Sequence, residues 1–82
     1  MKTEEYVLQF AESYDHDYIE VRGTDGGYST SSYMNDVQHY DSLKLAKLAV
    51  EALHCRHPKL KVRILRIVIE EVKEAKDSKN EN

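Results

Sequence analysis

The sequence changes its hydrophobic periodicity at Pro58, its single proline. Before this point, apolar residues recur every three or four positions from Leu43, which predicts a helix with Ser42 or Asp41 as its N-cap. Proline lacks a backbone N–H and clashes with the preceding turn, so the helix must end before it. After it, residues 60–72 are rich in β-branched side chains and predict a strand. One helix followed by one long strand is therefore the constraint that any fold must satisfy.

The predicted helix carries more apolar surface than a one-sided helix needs. A surface helix buries an arc of roughly 100° or somewhat more. One stripe comprises Leu43, Ala46, Val50 and Leu53. A neighbouring stripe comprises Leu45, Leu48, Ala49, Ala52 and Cys55. We expect the excess to be covered by another surface.

The predicted last strand changes phase part way along its length. Val62 and Ile64 are its early inward set, whereas Leu65, Ile67 and Ile69 belong to the opposite face. Since alternate residues of a strand point to opposite faces, two explanations remain. Either a bulge near residues 64–65 resets the register, or the later half is covered on both sides.

The first half of the chain predicts strands joined by turns. Alternating apolar residues indicate two strands of a hairpin, and a Ser-, Thr- and Tyr-rich segment indicates a short third strand. These predicted strands are residues 6–11, 18–22 and 28–33. The predicted turns are residues 14–17 and 23–27, and residues 35–40 are predicted to form a helical turn or an irregular lead-in to the helix rather than a strand.

This order of elements predicts an α+β fold, in which one helix packs on a small antiparallel sheet in the order β-β-short β-α-β. The chain has 82 residues, and a single hydrophobic core rarely divides at this length. We therefore expect one domain over residues 1–74. Residues 75–82 have nothing to bury and are expected to form a flexible polar tail.

Charge is distributed in blocks, although the net charge is only −3. Residues 1–42 carry nine acidic and two basic side chains, whereas residues 43–66 carry seven basic and one acidic. Acidic and basic strands lying side by side in one sheet would explain the blocks. Two patches of opposite sign that attract charged partners are the alternative.

The sequence argues against an enzyme, because no arrangement of reactive side chains has a catalytic spacing. His54, Cys55 and His57 cluster where the helix ends, but a zinc site needs three or four well-placed ligands. Histidine at a helix C-terminus is also explained by the helix dipole. Asp15-His16-Asp17 lies in a predicted turn, and the glycines do not form a phosphate-binding loop. We therefore expect no catalytic residue, no cofactor and no metal.

Location follows from what the sequence lacks. A single cysteine excludes an intrachain disulfide and fits a reducing compartment. The N-terminal residues lack the apolar stretch of a signal peptide, and no apolar run could span a bilayer. We expect a cytoplasmic protein without a membrane segment.

Four segments between residues 5 and 70 follow a recognisable order: a Tyr-rich hairpin, a polar turn, a capped helix and a strand after a proline. They are Gly27-Tyr28-Ser29-Thr30, Asn35-Asp36-Val37-Gln38-His39-Tyr40-Asp41-Ser42, Lys44 with Ala46, and His57-Pro58-Lys59-Leu60-Lys61-Val62-Arg63-Ile64. In this respect the chain resembles a loose group of short bacterial and prophage-encoded proteins of unknown function. The resemblance implies no particular activity, but it does imply a cytoplasmic setting and an origin on a mobile genetic element.

Three functions compete on these observations. The favoured one is a protein-binding module that forms a homodimer and also binds a host protein. Its association residues are predicted to be Leu45, Leu48, Ala52, Leu65, Ile67 and Ile69. The first alternative is nucleic-acid binding through the basic stretch 54–66, with Lys59, Lys61, Arg63 and Arg66 as phosphate ligands. It is not favoured, because the chain as a whole is acidic. The second alternative is an acidic inhibitor whose first half mimics the phosphates of DNA.

Overall fold

The computed structural model describes residues 2–12, 17–23 and 25–72. Its elements are β1 (Lys2–Phe10), β2 (Tyr18–Arg22), β3 (Gly27–Ser31), a 3₁₀ turn (Met34–Asp36), α1 (Leu43–Arg56) and β4 (Val62–Glu70). The strands form one antiparallel sheet in the order β3-β2-β1-β4, and α1 packs on it. The predicted α+β class is confirmed. The predicted tail at 75–82 and most of the predicted turn at 14–17 lie outside the described residues.

Both ends of α1 are where the sequence places them. The Ser42 hydroxyl accepts a hydrogen bond from the backbone N–H of Leu45 at 3.2 Å, which makes Ser42 the N-cap. At the other end, the backbone N–H of His57 donates to the Leu53 carbonyl at 2.9 Å. Pro58 follows directly and stops the helix, because it has no N–H to continue the ladder.

The hydrophobic core lies between α1 and one face of the sheet. Leu8 and Ile19 on the strands and Ala46 and Leu53 on α1 are fully buried. Half-buried side chains surround them: Tyr6, Phe10, Val21, Tyr28, Ala49, Val50, Leu60, Val62 and Ile64. The helix therefore covers the half of the sheet in which Leu8 pairs with Ile64.

The pairing of β1 with β4 is regular from end to end. It runs without an inserted residue from Lys2 opposite Glu70 to Phe10 opposite Val62. Of the two explanations offered by the sequence, a bulge near residues 64–65 is therefore excluded. The apolar phase changes because the strand continues beyond the part of the sheet that α1 covers, where neither face is enclosed by the described residues of its own chain.

β1 begins four residues earlier than the alternation of apolar residues predicts. Lys2–Glu5 is polar and carries no strand signal, yet it pairs with Ile67–Glu70. β2 pairs with β1 only at Leu8 and Gln9, so the other end of the β1–β4 pair has two strands. We call the pair of segments Lys2–Glu5 and Ile67–Glu70 the distal ribbon.

The chain between β3 and α1 crosses back to β1 at Tyr40. Tyr6 and Tyr40 exchange two backbone hydrogen bonds, with N···O distances of 2.9 and 2.8 Å. This isolated bridge lies on the same side of β1 as β2, two residues beyond the point at which β2 stops pairing with β1. The sequence predicts a helical turn or an irregular lead-in here and no bridge, because a single bridging residue leaves no periodic pattern.

The turn between β2 and β3 packs closely against the end of α1. Gly26 is buried with a φ of 87°, a conformation that side chains with a Cβ disfavour. A Cβ on Gly26 would lie 2.6 Å from the Arg56 Cβ and 2.9 Å from the Ala52 carbonyl oxygen. Glycine at this position is therefore required both by the backbone and by the space available.

We expect Gly26→Ala to destabilise the fold by about 2–4 kcal/mol, since it adds a left-handed penalty to a clash with helix backbone. Gly23→Ala is the matched control, because Gly23 also has a positive φ of 70° but its nearest atom would be 3.7 Å away. It should lose only about 1–2 kcal/mol. Urea denaturation followed by circular dichroism measures both, and equal losses would contradict the packing explanation.

Candidate protein-association surfaces

The outer flank of α1 exposes a row of apolar side chains. Leu45 and Leu48 are 47% and 49% exposed, Ala52 is half-buried and Cys55 is exposed. Their spacings of three, four and three residues are those of the apolar seam in a coiled coil. We call Leu45, Leu48, Ala52 and Cys55 the helix stripe.

A second apolar surface lies at the distal end of β4. Leu65 and Ile67 are half-buried and Ile69 is 48% exposed, all on the face opposite α1. Val68 lies on the same sheet face as Val62 and Ile64, which α1 covers, but it is itself 48% exposed. Val72, just beyond the strand, is 57% exposed. Large apolar side chains exposed together at one end of a strand are typical of interaction sites in proteins.

The six predicted association residues therefore occupy two separate places. Leu45, Leu48 and Ala52 lie on the flank of the helix, while Leu65, Ile67 and Ile69 lie on the sheet face that the helix does not cover. The structure does not bring the two sets together. Val68 and Val72 belong to the second surface and were not predicted, although the continuous apolar run at 67–69 was a usable signal.

The four predicted phosphate ligands are divided between a turn and both faces of the sheet. Lys59 and Lys61 are exposed before β4 begins. Arg63 lies opposite Gln9 and donates from Nε to the Gln9 Oε1 at 2.8 Å. Arg66 lies opposite Tyr6, on the other face of the sheet. A single row of cations along one strand face is therefore not formed.

Gln9 is a buried polar residue that sequence reasoning did not single out. Its side chain is fully buried near the C-terminal end of β1, and its amide oxygen accepts the bond from Arg63. A buried amide must be hydrogen-bonded to avoid a desolvation penalty. The pair thus fixes the register of β1 against β4, and it holds the Arg63 side chain towards β1.

The histidines near the end of α1 have structural contacts. His54 Nε2 lies 2.7 Å from the Leu60 carbonyl oxygen and donates to it, which braces the turn before β4. The His57 ring packs edge-on against Tyr28 with centroids 5.1 Å apart, and Tyr28 packs against Phe10 in the same way. Within residues 2–12, 17–23 and 25–72, no group of three or more His, Cys, Asp or Glu side chains could hold a metal ion.

His39 links the connection before α1 to β1, a role that sequence reasoning did not identify. Its Nδ1 lies 2.8 Å from the Glu5 Oε1 and its Nε2 lies 3.1 Å from the Met34 carbonyl oxygen. Both partners are acceptors, so the imidazolium form satisfies both contacts. The hydrogen bond to Glu5 is the main cause that raises the pKa of His39 above 6.5, and partial burial opposes it.

A raised pKa means that this contact stabilises the fold below about pH 6.5, and that the stabilisation is lost as pH rises through the higher folded-state value. We expect the cost of His39→Gln in unfolding free energy to be larger at about pH 5.5 than at about pH 8.5, by less than about 1 kcal/mol at this partly exposed site. Urea titrations at both pH values measure it. In a Glu5→Gln background the pH dependence should shrink, and an unchanged dependence would show that another group causes it.

Two shallow concavities lie on the described surface. One, of about 460 Å³, is lined by Leu43, Lys44, Lys47, Leu48 and Glu51, all from α1. Another, of about 430 Å³, is lined by His57, Pro58, Lys59 and Leu60, all from the turn after it. Small-molecule sites are usually clefts that enclose most of their ligand. A concavity with walls from one segment only does not enclose a ligand in this way.

Comparison with known proteins yields no relative. No family model matches the sequence, and neither the curated proteins nor the solved structures contain a significant match. Among the described residues, no helix has the length and the apolar composition needed to cross a membrane. The function must therefore be inferred from the surfaces of the chain itself.

Proposed function

We propose that this chain is a non-enzymatic protein-binding module of the cytoplasm and that it binds a second copy of itself. The observation that supports this function is the exposure of large apolar side chains in so small a domain. Five of them are between 47% and 57% exposed: Leu45, Leu48, Val68, Ile69 and Val72.

The energetic argument is that the core of one chain is small. Among residues 2–12, 17–23 and 25–72, the fully buried apolar side chains are Val7, Leu8, Ile19, Ala46 and Leu53. A core in a domain of this size supplies only about 3–5 kcal/mol of net stability. Covering a half-exposed leucine or isoleucine contributes roughly 1 kcal/mol more. Self-association would therefore add stability that the single chain lacks.

Protein association is favoured over nucleic-acid binding by the placement of the cations. Lys59, Lys61, Arg63 and Arg66 do not share one face, and Arg63 is already bonded to Gln9. The net charge of −3 also opposes binding to a polyanion. A host protein is the proposed second partner, and the helix stripe is the surface left for it if β4 serves self-association.

We expect the molar mass in solution to be twice the chain mass of 9.5 kDa when the protein concentration is tens of micromolar. The reason is that self-association covers the exposed apolar side chains. Sedimentation equilibrium at several concentrations measures this directly. A single species of one chain mass at every concentration up to about 100 µM would contradict self-association, since a Kd above that value corresponds to less than about 5.5 kcal/mol of binding free energy.

Leu48→Glu tests whether the helix stripe is surface or core. Because Leu48 is 49% exposed and Glu is a good helix former, the variant should keep its helical spectrum and lose less than about 0.5 kcal/mol of folding stability. Leu53→Glu is the matched control on the same helix, where the side chain is fully buried. It should unfold the domain, because an unpaired buried charge costs several kcal/mol. Unfolding by both changes would place Leu48 in the core.

A further inference from the structure

β4 is an edge strand with an open side. Ala11 N–H donates to the Lys61 carbonyl at 2.9 Å, so the odd-numbered residues of β4 turn their backbone groups towards β1. In an antiparallel ladder this direction alternates. The even-numbered residues therefore turn their N–H and C=O groups outward, where no described strand lies. They are Val62, Ile64, Arg66, Val68 and Glu70.

This edge lacks several of the devices that keep edge strands from pairing. Natural sheets blunt their edges with short strands, prolines, bulges or lysines. β4 has nine residues without proline, glycine or bulge. β3, at the other edge, has five residues and is composed mainly of Ser, Thr and Gly. Of the two edges, β4 is the one suited to receive another strand.

The distal ribbon supplies a physical reason for such a pairing. Two strands alone are only marginally stable in water, whereas three or more strands with an apolar face form a stable sheet. Lys2–Glu5 and Ile67–Glu70 form two strands only, with Val68 and Ile69 each 48% exposed. Joining two ribbons along β4 would give four strands at this place.

Charge restricts the register in which two copies of β4 can pair. In an antiparallel pair of identical strands related by a two-fold axis, two residues that oppose each other lie on the same face of the sheet. Because odd- and even-numbered residues of β4 lie on opposite faces, the two opposed residues are both odd or both even. Two such registers set an arginine opposite a glutamate. One is centred on Val68 and opposes Arg66 to Glu70, and the other is centred on Ile67 and opposes Arg63 to Glu71. A register centred on Arg66 or Glu70 opposes like charges.

The hydrogen bond between Arg63 and Gln9 distinguishes the two registers. Arg63 reaches across to β1, and turning it outward would take this bond from the fully buried Gln9. Arg66 and Glu70 are both exposed. Centring on Val68 also opposes Ile64 to Val72 and Ile67 to Ile69, so that apolar side chains meet on both faces.

We propose that β4 pairs antiparallel with β4 of a second copy, with the two-fold axis at Val68, to form one continuous sheet. This specifies the self-association proposed above and rests on it. α1 covers the opposite end of β4, where Val62 and Ile64 lie. The two helices therefore lie far from the axis and leave the shared strands accessible to each other.

Disulfide trapping tests the register in full-length chains that carry Cys55→Ser, which removes the only native thiol. Val68→Cys should form a covalent dimer under mild oxidation, because opposed residues in a hydrogen-bonded pair lie about 5.5 Å apart, within the range of a disulfide. Val72→Cys is the exposed control. Its two copies would be about 27 Å apart and should remain unlinked. Non-reducing electrophoresis reads both results.

Charge reversal provides an independent test. Arg66→Glu and Glu70→Arg should each weaken the dimer at least about tenfold. Residue 66 of each copy lies opposite residue 70 of the other, so either change creates two pairs of like charges in the dimer. The double variant should return the dissociation constant to within about threefold of the original. Within one chain these residues are four apart on a strand, about 13 Å, so contact inside the chain cannot produce the rescue.

The outcomes separate this inference from the proposed function. Trapping through Val68 with rescue by the double variant supports the inference. A dimer trapped through Ile67→Cys or Leu48→Cys instead overturns it, by placing the axis in the other register or on the helix stripe, but leaves self-association standing. A chain that remains monomeric by sedimentation overturns both.

Discussion

The antiparallel pairing of β1 with β4 is the interaction on which the rest of the structure depends. It joins residues 2–10 to residues 62–70 in nine consecutive pairs, and so brings the two ends of the described chain together. Closing a loop of this length costs entropy that local contacts do not repay. The apolar pairs in the half of the ladder near Leu8 and Ile64, together with the helix that packs on them, supply that free energy. β2, β3 and α1 all lie along only one half of this pair.

Because of that asymmetry, one strand has two environments. Near its start, Val62 and Ile64 pack against the core beneath α1. Near its end, Val68 and Ile69 remain half-exposed with similar chemistry. Strand composition alone would suggest burial throughout, since β-branched side chains pack well on a sheet. Folding and the proposed association thus use the same element, and a change at its distal end can alter association without removing core contacts.

Polar contacts fix the parts of the fold that apolar packing leaves loose. The Gln9–Arg63 bond holds β1 and β4 in register. The contacts of His39 with Glu5 and Met34 hold the connection before α1 beside the distal end of β1. One further position acts by its size and not by a polar contact: because Gly26 has no side chain, the turn between β2 and β3 can pack against α1. All of these features depend on a segment that is distant in the sequence. Hydrophobic periodicity reports only on neighbouring residues, so it detects none of them.

The sequence by itself determined the class of fold, the helix from its Ser42 cap to the proline, and the strand after it, because local backbone preferences and periodicity encode these directly. It also indicated an excess of apolar surface on the helix and on the last strand. Only the tertiary structure decided that Lys2–Glu5 extends β1, that the last strand has no bulge, and that the helix stripe and the distal end of β4 are separate surfaces. These depend on which segments meet across the sheet, a long-range property that neighbouring residues do not specify.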